Sequence, residues 1–177
     1  MGNIFHSCAT TNLPNMEGME GMEGMVGSYE RVSCEGMEEL LKLQTGFVDK
    51  RAEIAGSNDT PCTLTVELDN ISHTWTMKYK RSNMEQVIMF KMPNHPKCPV
   101  SVSKVINVPA RSTPQPKMEI VRDVTGRSMM FYDKKMDKGT IRMERKFSED
   151  MKEVTQVVTL RREEVSCIEK FTRVEAV

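Results

Sequence analysis

The sequence predicts an all-β protein: a closed antiparallel meander β-barrel of about ten strands, capped by two short helices. Three observations carry this. From residue 62 onward, apolar and polar residues alternate with period two in one segment after another. Turn residues separate these segments at short spacing. Ahead of them, residues 37–52 carry apolar positions at helical spacing instead. A sheet of about this many strands sheds its exposed edges by closing, and such a barrel can hold one small ligand.

Residues 1–26 read as a flexible tail, rich in Gly, Asn, Thr and Met, with the triplet Met-Glu-Gly repeated at 16–18, 19–21 and 22–24. The tail has no periodicity and too little apolar surface to order itself. From Gly27 the pattern changes, and residues 27–177 read as the barrel domain. Residues 28–33 form a short strand carrying Tyr29. Met37, Leu40 and Leu41 then recur at helical spacing, and a second short helix runs through Phe47, Val48, Arg51 and Ala52.

Strands take over after Pro61. Leu64, Val66 and Leu68 alternate with Thr63, Thr65 and Glu67, and Asp69-Asn70 supplies a turn. The next run places Trp75, Met77 and Tyr79 on one face, and a third carries Ile88, Phe90 and Met92. Six of the eight prolines fall in residues 93–116, where only brief pairing through Val100, Val102 and Val105 is expected. The meander resumes at 118–121 and continues through 129–132, 140–147, 154–160 and 165–174.

Two of these strands pose a chemical question. Ile141-Met143-Arg145-Phe147 alternates with polar residues, as does Val165-Cys167-Glu169-Phe171, so Arg145 and Glu169 both face inward. An unpaired buried charge costs several kcal/mol. The two should therefore meet each other or a ligand. The alternative is a strand slip or bulge that turns Glu169 to solvent.

Composition excludes several classes. With 25 basic and 25 acidic residues and no basic block, a nucleic-acid partner is not expected. No apolar run approaches the roughly 20 residues that span a bilayer, and no secretory segment is visible. Five widely spread cysteines then read as reduced thiols of a cytoplasmic protein, with no zinc-like spacing to the histidines. No Ser/His/Asp or Cys/His arrangement and no Gly-rich phosphate loop appears, so an enzyme, a metal site and a cofactor are not expected. A monomer is. The 16 methionines fit core filling or an adaptable binding surface.

The order of one strand, two short helices and a run of meandering strands resembles the intracellular fatty-acid-binding proteins and their retinoid-binding relatives. Gly27-Ser28-Tyr29 followed by Glu35-Gly36-Met37-Glu38-Glu39-Leu40-Leu41-Lys42 is similar to that family's opening strand and first helix. Thr74-Trp75-Thr76-Met77-Lys78 with Phe90-Lys91-Met92, Arg145-Lys146-Phe147 and Val165-Ser166-Cys167 are similar to further family stretches. The resemblance covers roughly 27–92 and 118–174; the Pro-rich segment does not fit it well.

The resemblance implies a lipid-binding protein whose interior holds a hydrophobic ligand. In the family, two arginines and a tyrosine hold the lipid carboxylate. Arg145 matches the first arginine, but where the family reads Arg-x-Tyr this chain reads Glu169-Lys170-Phe171. A carboxylate beside Glu169 meets like-charge repulsion. The expectation is an internal Arg145–Glu169 pair and a neutral, hydroxylated or cationic lipid, or none. Arg145, Glu169, Phe171, Trp75 and Met143 are the candidate ligand-binding residues. Met37, Leu40, Leu41, Phe47 and Phe90 are the candidate portal that the resemblance implies.

The chain opens Met1-Gly2-Asn3-Ile4-Phe5-His6-Ser7-Cys8. Gly2 is a candidate for myristoylation and Cys8 for palmitoylation, although His6 stands where the usual pattern wants Ser or Thr. Two acyl chains hold a membrane stably where one does not. The competing reading is a scaffold or interaction protein that keeps the barrel as structure, with a degenerate ligand site.

Overall fold

The computed structural model describes residues 22–43, 49–91, 101–108, 118–122, 127–133, 141–161 and 163–175. Ten strands form one antiparallel sheet: β1 Gly27–Glu35, β2 Cys62–Asp69, β3 Thr74–Arg81, β4 Met84–Lys91, β5 Ser101–Val108, β6 Met118–Arg122, β7 Ser128–Asp133, β8 Ile141–Phe147, β9 Glu153–Leu160 and β10 Val165–Arg173. Two short helices, α1 Met37–Leu43 and α2 Asp49–Gly56, follow β1. The strand order is β5-β4-β3-β2-β1-β10-β9-β8-β7-β6. It is a meander except where β1 pairs with β10 and joins the chain's two halves.

The alternation read from the sequence is the alternation of burial. On β10, Cys167, Glu169 and Phe171 are buried while Ser166, Ile168, Lys170 and Thr172 are exposed. Leu64 and Val66 of β2, Trp75 and Met77 of β3, Ile88 and Phe90 of β4, and Phe147 of β8 join the same core. The single tryptophan is wholly buried.

Two expectations are corrected. The tail does not extend to residue 26. Met22 and Met25 are buried in the main core, at the N-cap and the last residue of a 3-10 turn at Glu23–Met25. The Tyr29 hydroxyl reaches the Met25 carbonyl at 3.0 Å, and Arg173 donates to the carbonyls of Gly24 and Val26 at 2.8 and 2.6 Å. The third Met-Glu-Gly unit thus supplies core methionine, although one anchor per three residues has neither strand nor helix period. Residues 1–21, with Gly2 and Cys8, lie outside the described residues.

The Pro-rich segment is also more regular than expected. β5 pairs with β4 from Lys91↔Ser101 to Glu85↔Val108. The prolines fall at 93, 96 and 99 before this strand and at 109, 114 and 116 after it, which leaves every ladder donor between them intact. Closure into a barrel is not shown. The sheet curls until its edge strands β5 and β6 touch, but no ladder joins them among the described residues.

Beyond one end of the sheet, Met37, Leu40 and Leu41 of α1 pack with Ala52 of α2 and with Cys34 and Cys167 of the strands below. Gly36 turns the chain from β1 into α1 at a φ of +75°, where a β-carbon would run into the Ser166 carbonyl oxygen. Only glycine allows this approach.

Candidate functional site

Three strands in a row carry one polar residue each on their inner faces. Arg145 of β8 pairs in register with Gln156 of β9, and Gln156 with Glu169 of β10. All three are buried. Arg145 Nε donates to Gln156 Oε1 at 2.6 Å, and Gln156 Nε2 donates to Glu169 Oε2 at 2.7 Å. Arg145 Nη1 also lies 3.5 Å from the Met77 sulfur, and its guanidinium sits 6.0 Å from the centre of the Tyr79 ring.

The direct Arg145–Glu169 pair is therefore corrected. Both side chains face inward as expected, but β9 lies between their strands. Neighbouring strands are about 4.8 Å apart, so two charges separated by a third strand need a relay. Gln156, with a carbonyl acceptor on one side and an amide donor on the other, is that relay.

The cation that meets Glu169 is Arg31 of β1. Its Nη1 donates to Glu169 Oε1 at 3.0 Å, with side-chain exposures of 1% and 0%. Its Nη2 donates to the carbonyls of Ser57 and Thr60, each at 2.7 Å, in the turn that leaves α2. One guanidinium thus ties the helical cap to the buried carboxylate. The register of β1 against β10 shifts between Arg31 and Ser33, and Val32 within that irregularity is 62% exposed. This bulge lets Tyr29, Arg31 and then Cys34 face inward on one strand.

Tyr79 of β3 completes the shell. Its hydroxyl is shared between the two Glu169 oxygens at 3.0 and 3.1 Å. Burial, reinforced by the Glu169 charge, holds this phenol well above its ordinary pKa of 10.0, so it stays a donor. Burial pushes Arg145 down to about 10, which leaves it charged at neutral pH. For Arg31, burial works against the charge, and the hydrogen bond to Glu169 leads the effects that outweigh it.

The remaining candidates divide. Phe171 is buried next to this network, its ring 6.4 Å from that of Tyr79. Trp75 lies in the main core, and Met143 is partly buried against it. Met37, Leu40 and Leu41 line the underside of the helical cap. Phe90 does not join them: it pairs with Trp75 and so occupies the end of β4 away from the α2–β2 connection. Phe47 lies outside the described residues.

Four polar residues were not singled out from the sequence: Arg31, Tyr79, Arg81 and Gln156. Each carried a readable signal, because each continues a period-two run through Tyr29, Met77 and Val154. Among the described residues no helix is long and apolar enough to cross a membrane.

No family model and no curated protein matches the sequence. Solved structures do match. Fatty-acid-binding protein 1 of Echinococcus granulosus aligns with a TM-score of 0.56 at 17% identity, over 87% of this chain and 100% of its own. Lipid binding protein 8 of Caenorhabditis elegans gives 0.56 at 15% identity, over 86% of this chain and 97% of its own. Human cRBP IV gives 0.54 at 14%, over 84% and 97%. The chain has the fold of the fatty-acid-binding and retinoid-binding proteins.

Proposed function

We propose that this chain is a non-enzymatic lipid-binding protein that holds a hydrophobic ligand inside its curled sheet, closed into a barrel around it. The observation that carries this reading is the polar network of Arg31, Tyr79, Arg145, Gln156 and Glu169 on a largely apolar inner face. A polar group set in an apolar interior orients a ligand that is mostly hydrocarbon. The fold neighbours' printed names, a fatty-acid-binding protein and a lipid binding protein, support the same class. Trp75 and Phe171 are the proposed apolar wall, Met143 an adaptable part of it, and Met37, Leu40 and Leu41 the underside of the way in.

Organic extraction of the purified protein followed by mass spectrometry tests this. A co-purified lipid at near one-to-one ratio is the expected result; an empty protein that binds no added long-chain amphiphile sinks the reading.

One observation favours the scaffold reading instead. Glu169 already accepts bonds from Arg31, Tyr79 and Gln156, so the centre of the network needs no ligand to satisfy it. The same extraction separates the two readings. We further propose that Gly2 and Cys8 carry acyl chains that tether the protein to membranes. Intact mass of protein from eukaryotic cells checks this, and an unmodified Gly2 removes the tether.

A further inference from the structure

The polar network leaves one inward cation out. Arg81 ends the inner-face run Trp75, Met77, Tyr79, Arg81 of β3 and is only 4% exposed. Its Nε and Nη1 have no hydrogen-bond partner, and its Nη2 has only the Met84 sulfur at 3.9 Å. Among the described residues Glu169 is the one buried carboxylate, and Arg31 is its ion-pair partner. A guanidinium does not escape burial by losing its proton. A buried, uncompensated cation is a costly arrangement unless an anion joins it.

Arg81 pairs across the ladder with Cys62, where β2 leaves the α2 turn. An open groove of about 880 Å³ lies beside these strand ends, on the side of Thr63 and Lys80, which alternate with the inner-face residues; Asp59, Thr60, Ser82 and Asn83 also line it, and Arg81 does not. From Arg81 the inner face runs down over Met77 into a core that also holds Met22, Met25 and Met129. Methionine side chains repack around flexible hydrocarbon.

We propose that Arg81 anchors the oxyanion head of a single-chain amphiphile at the helix-proximal end of the sheet, with the alkyl chain running inward along the methionine-rich face. This rests on the lipid-binding reading and gives it a ligand class. It also replaces the expected preference for a neutral or cationic lipid. That preference assumed a head group beside Glu169, whose oxygens are taken, whereas Arg81 keeps Nε and Nη1 without a partner and can donate to an oxyanion.

The test is calorimetric titration of the delipidated full chain with dodecanoate, dodecyl phosphate and dodecanol. The wild type is expected to bind at least one anionic amphiphile about tenfold or more tighter than the alcohol, and the favoured anion distinguishes a carboxylate from a phosphate source. Arg81→Gln abolishes that preference while leaving dodecanol affinity unchanged. Arg81→Lys, which keeps the charge but not the guanidinium, retains part of it and serves if Arg81→Gln does not fold. Equal affinity for anion and alcohol in the wild type overturns the anchor, as does full anion preference in Arg81→Gln; the lipid-binding reading survives either result. Failure to bind any of the three amphiphiles overturns both.

Discussion

Arg31 and Glu169 lie 138 residues apart in the chain and form a buried ion pair across the junction of β1 and β10, at 3.0 Å. The same guanidinium holds the turn after α2 by two carbonyls. The interior charge and the helical cap are therefore one mechanical unit.

Breaking that pair from either side should be costly. Arg31→Met leaves Glu169 buried without its cation, and Glu169→Leu leaves Arg31 without its anion; each is expected to lose about 3–5 kcal/mol in urea unfolding. The double variant should recover most of that loss, because replacing both charges with apolar groups removes the desolvation cost along with the attraction. Amide exchange in residues 57–60 should rise in Arg31→Met and stay slow in Glu169→Leu, where Arg31 keeps its carbonyl partners. Additive single losses would show that the two residues act independently.

Truncation locates the start of the folded unit. A chain beginning at residue 22 should keep wild-type stability. One beginning at residue 27 loses Met22, Met25 and the carbonyls that Tyr29 and Arg173 bond, and is expected to lose about 3 kcal/mol or more. Equal melting temperatures for the two would contradict the placement of these methionines in the core.

Raising the pH above about 9 should destabilise the fold. Burial, with the Glu169 charge adding to it, pushes the Cys62 thiol from its ordinary value of 9.0 up to about 11. The folded-state pKa is raised, so the stabilisation is fully present below pH 9 and is lost as pH climbs toward 11. The loss is roughly 2–3 kcal/mol. Urea midpoints measured at both ends of that window should show it, and Cys62→Ala should flatten the dependence. In the native protein at pH 8 the Cys62 thiol should resist alkylation.

Gly36→Ala should weaken the seat of α1 on β10. It combines a left-handed backbone with a β-carbon driven into the Ser166 carbonyl. The expected loss is about 2 kcal/mol in thermal or urea unfolding. An unchanged stability would mean that the β1–α1 turn is free to shift.

Much of the candidate site was legible before any coordinates. Period-two patterning put Arg145, Glu169, Trp75 and Phe171 on inner faces, and each is buried there. The same pattern extends to Arg31, Arg81 and Gln156. The Arg145–Glu169 pairing failed for a geometric reason. A shared interior was read as contact, although the strand holding Gln156 separates the two. β5 is longer than the density of prolines in 93–116 suggests, because they fall at 93, 96, 99, 109, 114 and 116 and none lies within the strand.

By itself the sequence determined which way each side chain points, because pleat alternation is a local property of consecutive residues. It also determined that Gly36 could hold a backbone closed to other residues. Only the tertiary structure decided which cation meets Glu169, which residue relays Arg145, and that Arg81 Nε and Nη1 are buried without a hydrogen-bond partner. Those outcomes depend on register, on a bulge at Val32 and on strands brought together from opposite ends of the chain. None of these is written in the spacing of adjacent residues.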